Sequence, residues 1–302
     1  MTPVDLSPQS KSILVNLNGE IMEAARAKVS VFDRSYLYGD SLYEVVRSYD
    51  GRFLKLDEHL DRLGKSAQLT HMTLGQSLEH YEKEILRTFQ AWRELPGHRD
   101  ADAYCRIVVS RGEGKIGFGL GGLTTPTLYT IYMLPLELPT TEARKRGYHF
   151  KIAERLRNDP RALDPAMKTG NYLNSLLAYL EAVPAFDDAL MLNRDGHVSE
   201  GTTFNIFYVK RGIIATPPLD IGILDGVTRR LVIQCARKLG YPVREVRFPK
   251  ERLYEADEIF MSSSVKEVFP VTRIDNKRVG KGEAGPITIA LEKAYAEARK
   301  QP

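Results

Sequence analysis

Lys168 and Glu200 are the side chains whose types and sequence surroundings best suit covalent chemistry. Lys168 opens the segment 168–174, which reads KTGNYLN, and Glu200 lies further along the chain in the segment 199–205, SEGTTFN. A lysine amine can form a Schiff base with a carbonyl group, and a fixed carboxylate can keep a nearby heterocyclic nitrogen protonated. Together the two groups can hold an aldehyde and make its ring withdraw electrons.

This combination suggests pyridoxal phosphate chemistry. Most lysines are solvated surface charges, so Lys168 by itself predicts little. Its surroundings are more informative: residues 155–165 are turn-forming and poor in apolar periodicity, and a helix is predicted to begin near Asn171. Lys168 would therefore lie close to the start of a helix, where its side chain can point into a cleft.

Five sequence blocks resemble those of the class IV (fold type IV) aminotransferases, and the resemblance covers nearly the whole chain, from 16–20 to 285–288. The blocks are DRSYLYGDSLYE at 33–44, HLDRL at 59–63, the Lys168 segment, the Glu200 segment, and the pair formed by GVTR at 226–229 and SSS at 262–264. The family comprises branched-chain amino acid, D-amino acid and (R)-amine transaminases, with aminodeoxychorismate lyase as a relative that is not a transaminase.

The resemblance implies an α+β protein of fold type IV, in which two α/β domains hold pyridoxal 5'-phosphate in the cleft between them. Runs of predicted strands mixed with helices also favour α+β over regular βαβ winding. The proline-rich stretch that begins at Leu134 is typical of an interdomain linker. We therefore expect a small N-terminal domain at 1–133, a linker at 134–146 and a large cofactor-binding domain at 147–302.

Local patterns predict the elements that must position these groups. Residues 13–17 lead into an Asn18-Gly19 turn, and residues 44–49 meet 52–55 through Asp50-Gly51, so each pair predicts a β-hairpin. The other predicted elements are helices at 58–68, 76–92, 171–182, 228–239 and 286–299, strands at 103–110, 127–133 and 258–262, a strand that ends at 248, and a hairpin that turns at 194–196.

Composition excludes several classes of protein. The 302 residues are 43% hydrophobic and 27% charged, which suits a globular protein with two cores. Cys105 and Cys235 lie in apolar surroundings and are interpreted as reduced packing residues.

No apolar run approaches the roughly 18 residues of a membrane span and no signal-peptide core is present, so we expect a cytoplasmic protein without a membrane partner. The net charge of +4 is spread along the chain and the histidines lack metal-ligand spacing, so we expect neither a nucleic-acid partner nor a metal.

The resemblance also implies which residues bind the cofactor. Lys168 would form the Schiff base and, once released, would move a proton between the substrate Cα and the cofactor C4′. Glu200 would contact the pyridine nitrogen, and Tyr172 would hydrogen-bond the phenolic oxygen. The residues expected to bind the phosphate are Arg62, Val227, Thr228 and Ser264.

Substrate recognition is implied for a second group of residues. Those expected to line the substrate pocket are Tyr38, Tyr43, Arg47, Tyr104, Arg106 and Val265. Tyr104 and Arg106 match the Tyr-x-Arg of branched-chain enzymes, in which the arginine helps to take a carboxylate. The sequence thus offers Arg106 as a partner for a substrate anion.

Other positions resemble the D-amino acid branch of the family. The block 33–44 reads closer to that branch, and Asn171 follows Lys168 at its spacing, without the extra glycine of many branched-chain enzymes. However, residues 113–118 lack the Arg-x-His carboxylate clamp that D-amino acid enzymes have after the position of Arg111. The balance favours a hydrophobic pocket for an L-amino acid.

The sequence therefore predicts a pyridoxal phosphate-dependent transaminase that moves an amino group between a branched-chain or other aliphatic L-amino acid and 2-oxoglutarate by a ping-pong mechanism. Because the family is at least dimeric, with loops of one subunit completing the site of the other, we expect a homodimer or a higher homo-oligomer. The alternatives are a D-amino acid or (R)-amine transaminase, a 4-amino-4-deoxychorismate lyase and, in a different class, a non-catalytic protein that binds the cofactor. The joint presence of Lys168, Glu200 and Arg62 argues against the last of these.

Overall fold

The computed structural model describes residue 7, residues 10–136 and residues 138–300. The chain divides into two compact units. The first unit comprises Met1–Glu137 and Met167–Asn171, and the second comprises Leu138–Ala166 and Tyr172–Pro302. The short segment that contains Lys168 therefore belongs to the first unit, although second-unit sequence flanks it on both sides.

An antiparallel sheet forms the first unit. Its strands are β1 (Leu14–Leu17), β2 (Glu20–Glu23), β3 (Ser41–Tyr49), β4 (Arg52–Phe53), β5 (Ala103–Ser110) and β6 (Leu128–Pro135). Over the described residues the sheet has six strands in the order β2-β1-β6-β5-β3-β4. Both predicted hairpins are confirmed, because Asn18 and Asp50 adopt φ values of 50° and 48° and each precedes a glycine with positive φ, as a type I′ turn requires.

One face of this sheet is covered by helices. The helices of the first unit are α1 (Arg34–Tyr38), α2 (Leu56–Leu69) and α3 (Leu78–Arg93), and the predictions for 58–68 and 76–92 are confirmed. Leu63 of α2 and Ile85 of α3 pack with Leu42, Val46 and Ile107 of the sheet in one buried cluster. Because alternate residues of a strand point to opposite faces, the intervening residues of β3 and β5 face away from the helices.

A mixed sheet forms the second unit. Its strands are β7 (Tyr148–Ile152), β8 (Asp188–Leu192), β9 (Val198–Gly201), β10 (Asn205–Lys210), β11 (Ile213–Thr216), β12 (Val243–Glu245), β13 (Glu258–Ser263), β14 (Glu267–Ile274) and β15 (Lys277–Arg278). In the described part of the chain the order is β12-β11-β10-β13-β14-β7-β8-β9, and β15 pairs with β14. Only three of the pairings among these residues are parallel, β11 with β12, β14 with β7 and β7 with β8. This pattern differs from regular βαβ winding, so the predicted α+β class is confirmed.

Five further α-helices belong to the described residues of the second unit. They are α4 (Thr141–Arg146), α5 (Leu173–Ala182), α6 (Val227–Lys238), α7 (Glu251–Tyr254) and α8 (Pro286–Ala298). The helices predicted near 171, 228 and 286 are confirmed, although α5 begins two residues later than expected, at Leu173. The strand expected to end at Phe248 is wrong in its extent: β12 stops at Glu245, and Phe248 packs in the hydrophobic core while its carbonyl accepts a hydrogen bond from Val198.

The segment 134–146, expected to be a linker, contains the end of β6 and the whole of α4. Thr140 caps α4 by accepting a hydrogen bond from the backbone of Ala143 at 3.1 Å. The domain limits given from the sequence stay a prediction. None of the helices in the described ranges combines the length and the apolar character needed to cross a membrane.

The packing of α2 is tested by replacing its most buried leucine. We expect Leu63→Ala to lower the free energy of unfolding by about 2–5 kcal/mol, because Leu63 is fully buried and its truncation leaves a cavity. The matched control is Leu69→Ala on the same helix, where the side chain is half exposed and the loss should stay within about 0.5 kcal/mol. Urea unfolding, followed through the single tryptophan Trp92, measures both. Equal losses in the two variants would contradict this account of the core.

Candidate active site

The backbone of Lys168 is fixed by the first sheet and by α2. The amide of Tyr43 donates to the carbonyl of Lys168 at 3.0 Å, and the amide of Gly170 donates to the carbonyl of Ser41 at 2.8 Å. The amide of Lys168 itself donates to the Ser66 hydroxyl of α2 at 3.1 Å. The lysine is thus attached to regular structure, although it lies in a segment without a helix or strand of its own.

The side chains of Lys168, Tyr43 and Arg106 form one cluster. The amine of Lys168 donates to the hydroxyl of Tyr43 at 2.9 Å and lies 4.1 Å from the centre of the same ring. The guanidinium carbon of Arg106 is 4.5 Å from that ring centre. A cation close to an aromatic face is attracted by the negative face of the ring. Tyr43 therefore contacts both the amine of Lys168 and the guanidinium of Arg106.

Four of the residues expected to line the substrate pocket share one face of the first sheet. Arg47 of β3 stands opposite Tyr104 of β5, and Tyr43 and Arg106 lie at alternate positions of the same two strands, on the face that points away from α2 and α3. Arg47 differs from the others, because it is buried, donates to Asp102 at 3.3 Å and lies over the ring of Tyr49. The structure brings these four predicted residues together but gives Arg47 partners in the scaffold.

Tyr38, the last residue of α1, contacts the segment 113–118 that follows β5. Its hydroxyl accepts a hydrogen bond from the amide of Gly117 at 2.7 Å, and its ring centre is 5.3 Å from that of Phe118. The guanidinium of Arg34 lies over the Tyr38 ring. Tyr38 thus contacts segment 113–118, in which the sequence has no Arg-x-His clamp.

Asp40 anchors the same region through two arginines. Its Oδ2 accepts hydrogen bonds from the Nε of Arg34 and the Nε of Arg111, both at 2.8 Å. Burial alone would raise the pKa of Asp40, but the hydrogen bonds and positive charges of the two arginines hold it below its ordinary value. Asp40 is therefore a fixed anion at the start of β3.

A buried ion pair joins β3 to α2. Glu44 is 1% exposed, and its two oxygens accept from Nε and Nη2 of Arg62 at 2.7 and 2.8 Å. Nδ1 of His59 is 2.8 Å from the same carboxylate. A carboxylate only accepts hydrogen bonds, so the tautomer of His59 that fits this contact carries its proton on Nδ1. Arg62, expected to bind a phosphate, is thus already oriented by a bidentate carboxylate.

Glu200 is held by three donors of the second unit. Its Oε1 accepts from the Nε of Arg157 at 2.9 Å, and its Oε2 accepts from the amide of Leu224 at 3.0 Å and from Asn205 at 3.4 Å. Arg157 also donates to Asn174 of α5 at 3.1 Å. The sequence analysis missed Arg157: the density of basic residues in 155–161 was a signal, but the segment was interpreted only as a turn.

The N-terminus of α6 has the features of an anion site. Val227 and Thr228 are its first residues and both are buried, and the preceding Gly226 has no side chain with which to cap the helix. A Cβ at Gly226 would lie 2.1 Å from Oδ1 of Asn205, so only glycine fits there without rearrangement. The first amides of a helix lack intrahelical acceptors and carry its positive dipole, which favours a bound anion.

The remaining predicted residues also belong to the second unit. Ser264 and Val265 occupy the turn between β13 and β14, and Tyr172 is the residue immediately before α5; all three are half-buried. Within the described ranges, no group of three or more histidine, cysteine, aspartate or glutamate residues could hold a metal ion. Each unit has chemical groups that suit part of pyridoxal phosphate: the first has an amine that suits an aldehyde and a guanidinium that suits a phosphate, and the second has a carboxylate that suits a protonated ring nitrogen and a helix N-terminus that suits a phosphate.

Similarity to known proteins gives the family. The model of the family Amino-transferase class IV matches residues 41–274, and the chain belongs to this family. It is therefore an aminotransferase that uses pyridoxal phosphate, as the sequence predicted.

Three similar proteins illustrate the range of the family. The putative branched-chain-amino-acid aminotransferase of Methanocaldococcus jannaschii is 37% identical, with 94% of this chain and 96% of that protein covered. The D-alanine aminotransferase of Bacillus licheniformis is 34% identical, with 93% and 95% covered. The crystal structure of the T.th. branched-chain amino acid aminotransferase complexed with N-(5'-phosphopyridoxyl)-L-glutamate has a TM-score of 0.84 and 32% identity, with 96% and 95% covered.

The arginine pair of Asp40 makes a pH-dependent contribution to stability. Because the pKa of Asp40 is lowered in the folded protein, this contribution is present above the ordinary value of 3.8 and is lost as the pH falls below it. At pH 7 we expect Asp40→Asn to lower the free energy of unfolding by about 1.5–3 kcal/mol, the range for hydrogen bonds to charged groups. The difference from the wild type should shrink below pH 3.8, whereas the exposed control Asp100→Asn should show no such trend. Urea unfolding at several pH values measures both.

Proposed function

We propose that this aminotransferase transfers the amino group of a branched-chain or other aliphatic L-amino acid to 2-oxoglutarate by a ping-pong mechanism. The observation that supports the proposal is the cluster of Lys168, Tyr43 and Arg106, which joins a nucleophilic amine to a cation suited to a carboxylate. In the first half-reaction the amino acid leaves as its 2-oxo acid, and in the second 2-oxoglutarate takes up the amino group.

Lys168 has two tasks in the proposed mechanism. Bound pyridoxal phosphate supplies an aldehyde that condenses with amines and a ring that accepts electrons from the substrate Cα. The amine of Lys168 would hold that aldehyde in the absence of substrate. It then acts as the base that takes the proton from Cα and returns it at C4′, and the hydroxyl of Tyr43 keeps it aimed.

Glu200 and Tyr172 are proposed to act on the cofactor ring. Glu200 keeps the ring nitrogen protonated, and Arg157 and the amide of Leu224 hold its carboxylate in one orientation. Tyr172 would donate to the phenolic oxygen. Removing the charge of Glu200 would weaken the electron-withdrawing power of the ring without removing the cofactor.

The phosphate is proposed to bind at four residues with complementary donors. Backbone amides at the start of α6 supply directed N–H groups and the positive end of the helix dipole. A guanidinium adds a charge-assisted contact, which is roughly twice as strong as a neutral hydrogen bond. The four residues are Arg62, Val227, Thr228 and Ser264.

The preference for L-amino acids and 2-oxoglutarate rests on Arg106 and on segment 113–118. Arg106 offers a partner for a carboxylate beside Lys168, and the segment lacks the clamp of the D-amino acid branch. The T.th. enzyme carries a phosphopyridoxyl derivative of L-glutamate in its crystal structure, which supports glutamate and 2-oxoglutarate as the second pair. The similarity to a D-alanine aminotransferase makes D-amino acids the alternative to test.

A homodimer is part of the proposal, as is a cytoplasmic location. Exposed apolar side chains of the first unit support self-association, because a concentration of such side chains on a surface marks an interaction site. The side chains concerned are Val31, Phe32, Tyr36, Ile116 and Phe118.

The covalent role of Lys168 is tested by reduction. Borohydride should fix the cofactor on Lys168, and peptide mapping should find the pyridoxyl label there, because the imine forms on the amine that the cofactor site holds. Lys168→Ala should abolish turnover and leave the urea unfolding midpoint close to that of the wild-type apoprotein. Lys266→Ala, which replaces a lysine of the second unit, is the control and should keep the label on Lys168. A label on any other lysine of the wild type would refute the assignment.

The substrate preference is tested with single half-reactions. L-Leucine, L-isoleucine and L-valine should change the visible absorbance of the bound cofactor faster than their D-forms. Arg106→Leu should slow the half-reaction of L-glutamate more than that of L-leucine, because an apolar donor has no second carboxylate to pair. An unpaired charge costs about 2–5 kcal/mol, which is large enough to distinguish the rates of the two half-reactions.

Arg106→Lys keeps the positive charge and serves as the matched control, so it should retain more of the glutamate reaction than Arg106→Leu does. Fast reaction of D-alanine, D-glutamate or an (R)-amine, with the branched L-amino acids inert, would instead assign the chain to another branch of the family.

A further inference from the structure

Glu44 is a buried carboxylate to which the proposed mechanism gives no task. It follows Tyr43 on β3, so its side chain points to the opposite face of the sheet, toward α2. There it meets the guanidinium of Arg62 and the imidazole of His59, both of which are buried as well. Burying a charge is costly unless it is paired and hydrogen-bonded, so a retained carboxylate at this position calls for an explanation.

We propose that Glu44 is a positioning residue for the cofactor phosphate: it holds the guanidinium of Arg62 in the orientation in which Arg62 receives the phosphate oxygens. The proposal rests on the proposed function, specifically on the contact of Arg62 with the phosphate. It assigns Glu44 no contact with the cofactor or with the substrate.

The geometry of the pair supports this role. The two oxygens of Glu44 meet Nε and Nη2 of Arg62, which is the parallel, two-bond arrangement that fixes the plane of a guanidinium. These bonds use two of its five N–H donors. An arginine side chain has many rotamers, and ordering it when a ligand arrives would reduce affinity. Because Glu44 orders Arg62 beforehand, the phosphate does not have to do so.

His59 completes the arrangement from the same helix. It lies three residues before Arg62 on α2, so both side chains lie on one face of the helix and reach the same carboxylate. Burial lowers the pKa of His59, although Glu44 acts in the opposite direction, and the net lowering favours a neutral imidazole at neutral pH. His59 therefore donates one hydrogen bond from Nδ1 that keeps the carboxylate from rotating.

The charges show why the carboxylate has to act by orientation. Burial alone would raise the pKa of Glu44, but the charge and hydrogen bonds of Arg62, together with His59, hold it well below its ordinary value, so Glu44 is an anion at neutral pH. An anion next to Arg62 weakens the attraction of Arg62 for a phosphate through simple Coulomb repulsion. If charge alone mattered, neutralising Glu44 would therefore tighten phosphate binding. Positioning predicts the opposite sign, which makes the two effects separable by experiment.

The variant Glu44→Gln keeps the size of the side chain but replaces one acceptor by an amide that donates. The amide nitrogen cannot accept from Arg62 or His59, so Arg62 loses one of the two hydrogen bonds that Glu44 provides. We expect the dissociation constant of the apoprotein for pyridoxal phosphate to rise about 10- to 100-fold, the range that corresponds to a lost charge-assisted hydrogen bond.

Pyridoxal, which has the aldehyde but not the phosphate, separates a local role from a general loss of structure. In Glu44→Gln the affinity for pyridoxal should stay within about threefold of the wild type, because pyridoxal has no phosphate for Arg62 to bind. A threefold change corresponds to less free energy than a hydrogen bond to a charged group contributes. The preference for the phosphorylated form, which is the dissociation constant for pyridoxal divided by that for pyridoxal phosphate, should therefore fall. Arg62→Ala should lower the same preference further. Glu82→Gln, an exposed change on α3, is the matched control and should alter neither constant.

The outcomes separate the possible explanations. Equal losses of affinity for both ligands, or tighter binding of pyridoxal phosphate by Glu44→Gln, would overturn the positioning role. An unchanged preference in Arg62→Ala would overturn it too, by removing Arg62 from the phosphate site, whereas failure of the proposed function would appear as a borohydride label away from Lys168. If Glu44→Gln does not fold, Glu44→Asp keeps the charge with a shorter reach and should still lower the preference, by a smaller factor; an unchanged preference there would also overturn the proposal.

Discussion

The ion pair of Glu44 and Arg62 is the constraint on which the active-site face of the first unit depends. A carboxylate that is almost completely buried is tolerated only with a charged, hydrogen-bonded partner, and removing that partner would leave an uncompensated charge. The pair therefore ties β3 to α2 in one register. A shift of one residue along β3 would turn Glu44 to the face away from the helices and turn Tyr43 toward them, so the contact of Tyr43 with Lys168 is specified by the charge beside it.

The two units use the same pairing with the roles reversed. In the first unit a carboxylate orients a guanidinium, because Arg62 is the group with a proposed ligand and Glu44 supports it. In the second unit a guanidinium orients a carboxylate, because Arg157 supports Glu200. In both cases the supporting residue lies in a different part of the chain from the residue that it holds. The functional group is therefore ordered by tertiary structure and does not have to be ordered by its ligand.

Much of the fold could be predicted because its signals are local. The hairpins at Asn18-Gly19 and Asp50-Gly51 depend on residues that tolerate positive φ, and α2, α3, α6 and α8 depend on a helical repeat of apolar residues. Strands β7, β10, β11, β14 and β15 were not predicted. Most residues of β10, β11 and β14 are buried, and short buried apolar runs do not distinguish a strand from other buried segments.

The site could be predicted only in part, for a similar reason. Lys168 and Glu200 stand in segments whose sequence is distinctive by itself. The link between Arg157 and Glu200, the pairing of Asp102 with Arg47 and the return of 167–171 to the first unit join parts of the chain that are distant in sequence. No local pattern encodes such contacts, because the partners are chosen by the folded sheet and not by their neighbours along the chain.

The discontinuous first unit has a consequence for how proteins of this kind can change by recombination. The codon of Lys168 lies within the stretch of gene that encodes the second unit, whereas the groups that hold the lysine, Tyr43, Ser41 and Ser66, are encoded far upstream. A crossover between two parental genes near the end of β6 would give a chimaera whose lysine comes from one parent and its anchoring strand and helix from the other. Such hybrids should hold the lysine in the same way only when the parents agree at its side-chain contacts, those with Tyr43 and Ser66.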